Sequence, residues 1–285
     1  MTSAHTHPAD ELLARIAAVG SPICVGLDPV VENLPRAVCA GDPHDSIAAF
    51  SLGVIEAVAP HAAAIKFQSA CYERYGSRGF GALERACAAA RHHGLFVLLD
   101  AKRGDIGLSA AHYAAAASRM GAHAVTVNGY LGPSGIEPFL AEGLAVFVLV
   151  RTSNPDSDEV QSLRLADGRT VAESMADLVA TLGVGHLGRH GLSSLGAVVG
   201  ATKSADGHAL RARMPDQIFL VPGYGAQGGK PDDIRALLRP EGDGVLVTAS
   251  RSVIYPPNPT DAPWNAAIAH AARRLADEIR SVCVQ

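Results

Sequence analysis

The run Asp100-Ala101-Lys102-Arg103-Gly104-Asp105 sets two carboxylates and two cations close together. On a β-strand, Asp100 and Lys102 stand two residues apart and share a face. A carboxylate beside an ammonium keeps the amine charged. A fixed ammonium can stabilise a developing anion and then protonate it. Asp28 and Lys66 form a second couple of the same kind, each at or near the end of a short apolar run. Buried charges are costly unless paired, so the four residues converging in one place would form an alternating array. Taken singly, each could equally be part of a structural ion pair at a rim. Their shared position at strand ends favours chemistry.

A second constellation follows a later apolar run. Residues 222–229 read Pro-Gly-Tyr-Gly-Ala-Gln-Gly-Gly. Glycines let a backbone approach an anion closely and present N–H groups to it. Arg251, after the next apolar run, suits bidentate contact with phosphate. A glycine loop alone says little. Followed by Arg251, it points to a phosphate site with a loop long enough to close over the ligand.

These residues need elements to position them. Near-continuous apolar runs predict eight strands at 23–28, 63–68, 95–102, 124–128, 145–150, 195–200, 218–223 and 244–250. Between them, helical spacing predicts helices over 46–58, 83–93 and 109–120. A first helix is expected over 9–19, with Pro8 near its start and Gly20 just past its end. The last helix carries Trp264, Ile268, Ala272, Leu275, Ile279 and Val282 on one face, with Thr260 or Asp261 as N-cap. The segment 151–194 is longer than one helix requires, so an extended loop and a helix are expected there. Alternating strands and helices over 285 residues predict an α/β chain forming one (β/α)8 TIM-barrel domain over 1–285. In that fold the active site lies at the C-terminal ends of the strands. Asp28, Lys66, Asp100, Lys102, Asn128, Arg151-Thr152-Ser153 and Arg251 all fall there.

Other classes are disfavoured. A net charge of -4 without a basic run argues against nucleic acid as partner. No apolar stretch is long enough to span a bilayer, and the polar first ten residues lack the pattern of a secretory signal. Five cysteines without a Cys-x-x-Cys pair read as reduced, mostly buried thiols of a cytoplasmic protein. The twelve histidines show no metal-ligand spacing, so no metal site is expected.

Asp100-Ala-Lys102-Arg-Gly-Asp105-Ile106-Gly107 resembles the Asp-x-Lys-x-x-Asp motif of the orotidine 5′-phosphate decarboxylases. The likeness extends over nearly the whole chain. It takes in Val25-Gly-Leu-Asp28-Pro29, Ile65-Lys66-Phe67-Gln68, Thr126-Val-Asn128, Thr152-Ser153-Asn154-Pro155, the 222–229 loop and Arg251-Ser252, and it is similar to the longer bacterial subgroup. The resemblance implies decarboxylation of orotidine 5′-monophosphate to uridine 5′-monophosphate without a cofactor, in the cytoplasm. Lys102 would protonate C6, Asp100 would face the substrate carboxylate, and Lys66 and Asp28 would hold the ribose. Asp105 would enter the neighbouring site of a homodimer. Ser109 stands where relatives often have Thr. Ser153 would touch the pyrimidine, Gln227 would bridge loop and ligand, and Arg251 would bind phosphate. Related sugar-phosphate barrels share the motif but use Mg2+ held by an acid at the end of strand two, where this chain has Lys66. Two further readings are a Schiff-base aldolase using Lys102 as nucleophile and a non-catalytic phosphonucleotide sensor. Close aspartates keep Lys102 protonated against the first, and the second leaves the charged array without a purpose.

Overall fold

The computed structural model describes residues 6–39, 41–225, 228–257 and 263–283. Eight parallel strands close into a barrel in chain order. They are β1 Ile23–Leu27, β2 Ala64–Gln68, β3 Phe96–Arg103, β4 Ala124–Val127, β5 Ala145–Arg151, β6 Ser193–Val199, β7 Gln217–Val221 and β8 Val245–Ala249. Closure is made by β8 pairing with β1. Each expected strand is present, with ends shifted by at most two residues. Helix α1, Pro8–Val19, precedes the barrel. The helices that follow the strands in turn are α2 Pro43–Val58, α3 Gly76–His92, α4 Gly107–Arg119, α5 Glu137–Ala141, α6 Val171–Gly183, α7 Gly207–Arg213, α8 Pro231–Arg235 and α9 Trp264–Cys283.

Strand alternation divides the apolar residues into two layers. One set, with Val25, Ile65, Val97 and Val125, packs against the surrounding helices. The other, with Cys24, Ala64, Phe96, Leu98, Ala124, Phe147, Ile218, Leu220 and Leu246, fills the barrel interior. Leu12 of α1 joins this inner cluster, with Leu13 and Ile16 packed against it. The period of two then carries each inward column upward into polar residues. Ala64 leads to Lys66, Leu98 to Asp100, Ala124 to Thr126 and Leu246 to Thr248. These upper members line a cavity at the C-terminal mouth.

Several helix boundaries differ from the sequence expectation for identifiable reasons. α1 ends as expected, at Gly20 in the left-handed region with φ 70°. α2 begins three residues early because Asp42 accepts from the His44 N–H and Pro43 occupies its first turn. α3 begins at Gly76 rather than 83, since the glycines at 76, 79 and 81 disguise its first turns. Gly79 is required there, because a Cβ would lie 2.0 Å from the Tyr72 carbonyl oxygen. The 151–194 segment holds a helical turn at Asp158–Gln161, a bridge between Arg164 and Thr170, and then α6. A capping box between Thr170 and Glu173 starts that helix. The buried apolar face of α9 (Ile268, Ala272, Leu275, Ile279, Val282) matches the expected stripe. Thr260 and Asp261 lie outside the described residues.

Candidate active site

Three strand ends assemble the charged array. Lys66 from β2 is inserted between two carboxylates, with Nζ 3.6 Å from Asp28 Oδ1 and 2.8 Å from Asp100 Oδ2. Lys102 Nζ lies 2.6 Å from Asp100 Oδ1. The order Asp28–Lys66–Asp100–Lys102 is therefore an unbroken chain of alternating charge. Exposure differs along it: the Asp100 and Lys66 side chains are 8% and 7% exposed, while Lys102 is 46% exposed. The inner pair is fixed, and the outer ammonium faces the mouth.

Asp100 is saturated with donors. Oδ1 accepts from Lys102 Nζ and from Thr126 Oγ1 at 2.8 Å, and Oδ2 accepts from Lys66 Nζ and from Gln68 Nε2 at 3.4 Å. Burial pushes the Asp100 carboxyl up, but Lys66 and Lys102 outweigh it and hold it down at about 2. Burial likewise pushes Lys66 down, but Asp28 and Asp100 keep its ammonium above the ordinary lysine value. Both members of the inner pair stay charged at neutral pH. Below them, burial raises the Cys24 thiol to about 12, which leaves it an inert core residue. Cys87 is also buried, Cys71 and Cys283 are half-buried, and Cys39 is exposed, so the cysteines are less buried than expected.

The way Lys102 reaches the mouth departs from a regular strand. Leu99 pairs with Val125 and Arg103 with Val127, so β3 bulges against β4 in between. Within that bulge Lys102 has φ 45°, the one positive-φ non-glycine among the described residues. Such a conformation costs a β-carbon-bearing residue on the order of 1–2 kcal/mol. Asp100 and Lys102 do face the same mouth, but strain rather than plain alternation puts them there.

The remaining wall of the cavity, of about 500 Å³, comes from the other strand ends. Ser153 and Asn154 follow β5. Pro222, Gly223 and Tyr224 follow β7, and Ser250 and Arg251 follow β8. Gly200 lets the chain pass Ser153, since a Cβ there would be 2.9 Å from the serine Cβ. Tyr224 anchors the base of the glycine loop by donating to Glu278 Oε1 of α9 at 2.6 Å. Gly223 takes φ 93° and accepts from the Gly229 N–H at 3.1 Å, drawing the loop's two ends together. Gln227 lies outside the described residues.

One expectation about strand ends needs revision. Arg151 does not line the mouth. Its buried guanidinium donates to Asp206 Oδ2 at 2.7 Å, Ser157 Oγ at 3.1 Å and Asp158 Oδ1, tying the loops after β5 and β6 together. Asp105 and Ser109, expected at a neighbouring subunit's site, are not in the cavity wall of their own chain. Asp105 Oδ1 accepts from the Ile106 N–H, and Ser109 is exposed on α4. Around them Ile106, Leu108, Tyr113, Tyr130 and Leu131 expose apolar surface, Leu108 at 74% and Tyr130 at 86%. Sequence reasoning gave no role to Thr126, Gln68, Gln161 or Thr248, all of which line the mouth. For Thr126 and Thr248 the inward register was the available signal.

A closed parallel barrel with a lysine–carboxylate array at its mouth defines a (β/α)8-barrel enzyme. The model of the orotidine 5′-phosphate decarboxylase / HUMPS family matches residues 21–263. The chain belongs to that family. It is 40% identical over 266 residues to an orotidine 5′-phosphate decarboxylase of Rhodopirellula baltica, covering 87% of this chain and 88% of that one. Against the Deinococcus radiodurans orotidine 5′-phosphate decarboxylase the identity is 43% over 256 residues, with coverage of 87% and 89%. The solved structure of Leishmania donovani OMP decarboxylase superposes with a TM-score of 0.81 at 33% identity, covering 98% of this chain and all of that one.

Proposed function

We propose that this chain decarboxylates orotidine 5′-monophosphate to uridine 5′-monophosphate and CO2, the last step of UMP synthesis. The observation that carries the reading is the unbroken Asp28–Lys66–Asp100–Lys102 array, joined in one cavity to Arg251 and the start of the glycine loop. The bond from C6 to the carboxylate breaks, CO2 leaves, and the electron pair stays on C6. The Lys102 ammonium stabilises that pair and donates its proton to it, becoming a neutral amine that recovers a proton from solvent. Asp100 holds the ammonium and meets the substrate carboxylate with like charge, a form of ground-state destabilisation. The ring offers the carbanion no delocalisation, and this reading assigns no cofactor to supply an electron sink. Fixed charge takes that place.

The other roles follow the same reading. Lys66 and Asp28 hold the ribose, Ser153 the pyrimidine, and Arg251 the phosphate, with Gln227 bridging to it. Asp105 and Ser109, amid exposed apolar side chains, reach the neighbouring site of a homodimer. The relatives that use a divalent metal on a sugar phosphate need an acid where Lys66 stands, and a buried ammonium there repels a cation. Among the described residues no helix is long and apolar enough to cross a membrane, and the proposed location is the cytoplasm. The test is loss of substrate absorbance with orotidine 5′-monophosphate, against a control with a keto-sugar phosphate and Mg2+. Consumption of the sugar phosphate alone would replace the proposal with the metal-dependent chemistry.

A further inference from the structure

Thr126 lies on β4 with 1% of its surface exposed, and its hydroxyl touches two members of the array. The Lys102 backbone N–H donates to Thr126 Oγ1 at 2.9 Å. Thr126 Oγ1 in turn donates to Asp100 Oδ1 at 2.8 Å. These directions are forced. A backbone N–H can only donate, an ionised carboxylate can only accept, and a hydroxyl has one proton to give.

The location explains why a side chain is needed. In the β3 bulge the ladder lapses between the Leu99–Val125 and Arg103–Val127 pairings, and it resumes where the Asn128 N–H donates to the Arg103 carbonyl at 2.7 Å. The Lys102 N–H falls inside that gap. The threonine hydroxyl takes the place of the missing ladder acceptor at the residue whose φ is 45°. An unpartnered N–H at this depth would favour relaxation out of the left-handed region.

We propose that Thr126 is the positioning residue that holds Lys102 in its strained backbone conformation and presents its ammonium to the reacting carbon, while fixing the Asp100 carboxylate from the opposite side. This rests on the decarboxylase reading. A valine at 126 keeps the shape and β-branching but frees the Lys102 N–H and removes one donor from Asp100. A serine keeps both hydrogen bonds.

The experiment compares wild type with Thr126→Val and Thr126→Ser in kcat, KM, uridine 5′-monophosphate affinity and the pH profile of kcat. Loss of a hydrogen bond to a charged group predicts that kcat falls about 10- to 100-fold in the valine variant. Affinity for uridine 5′-monophosphate stays within about threefold, because the phosphate contacts are untouched. The acidic limb of the valine variant moves to higher pH, since its Asp100 carboxylate has one donor fewer. Thr126→Ser recovers to within about fivefold of wild type. If the valine variant fails to fold, Thr126→Ala serves the same comparison. A valine-variant kcat within about threefold of wild type would overturn the proposal, as would parallel loss of kcat, affinity and melting temperature without rescue by serine. Wild-type protein inert toward orotidine 5′-monophosphate would sink the decarboxylase reading and this role together. Active wild type with an unaffected valine variant would sink this role alone.

Discussion

Replacing Lys102 with alanine removes the proposed proton donor and the outer cation of the array in one step. General-acid catalysis contributes roughly 10²–10⁴ in rate, and a preorganised charge at a developing anion roughly 10²–10³. One ammonium supplies both, so turnover should fall by at least about 10⁴-fold, about 5 kcal/mol of barrier. Folding should suffer little. The Lys102 side chain is nearly half exposed, and Asp100 keeps Lys66, Thr126 and Gln68 as partners. Alanine inherits the backbone strain at φ 45°, whereas Lys102→Gly escapes it and should be more stable than Lys102→Ala by about 1 kcal/mol. The two variants should be equally inactive. The assay is absorbance loss under saturating substrate, with uridine 5′-monophosphate binding by calorimetry to show that the pocket survives. Turnover within about tenfold of wild type in Lys102→Ala would remove this residue from the chemistry. Glycine and alanine variants of equal stability would refute the claim of strain.

Arg251→Ala should weaken binding of the phosphorylated substrate about 10- to 100-fold, the worth of a charge-assisted contact, yet leave binding of the unphosphorylated nucleoside unchanged in competition assays. If Asp105 completes the neighbouring site, mixing inactive Lys102→Ala with inactive Asp105→Ala should restore about a quarter of wild-type activity, since a mixed dimer regains one whole site. No recovery after subunit exchange would exclude a shared site. The Asp100 carboxyl sits at about 2 against an ordinary 3.8. Its stabilisation is therefore complete above about pH 4 and is lost as pH falls toward 2, amounting to about 2 kcal/mol. Urea unfolding of Asp100→Asn between pH 5 and 2 should lack that increment, and an identical pH dependence in both proteins would contradict the assignment.

The fold was legible because strands buried on both faces must be continuous apolar runs, and polar residues that close such runs stand out. Asp28, Lys66 and Asp100 could be placed at one mouth from that pattern alone. The spacing of Lys102 from Asp100 places both at the mouth, but spacing does not reveal the bulge or the left-handed backbone that carries the lysine there. Thr126 was hidden because a β-branched residue in a buried strand reads as packing, and only its inward register marks it otherwise. Arg151 misleads in the opposite sense: an arginine closing a strand looks functional until its four partners in the next two loops are seen. The early start of α3 was masked by glycines, one of which is dictated by the close approach of the Tyr72 carbonyl.

In the proposed chemistry, fixed lysine and aspartate charges perform the decarboxylation unaided. The most direct measurement is turnover of orotidine 5′-monophosphate by the purified protein, with and without EDTA. Rapid turnover, unchanged by the chelator, is the predicted result. Folded protein that leaves this substrate intact, or loses its activity to EDTA and regains it with Mg2+, would contradict the account.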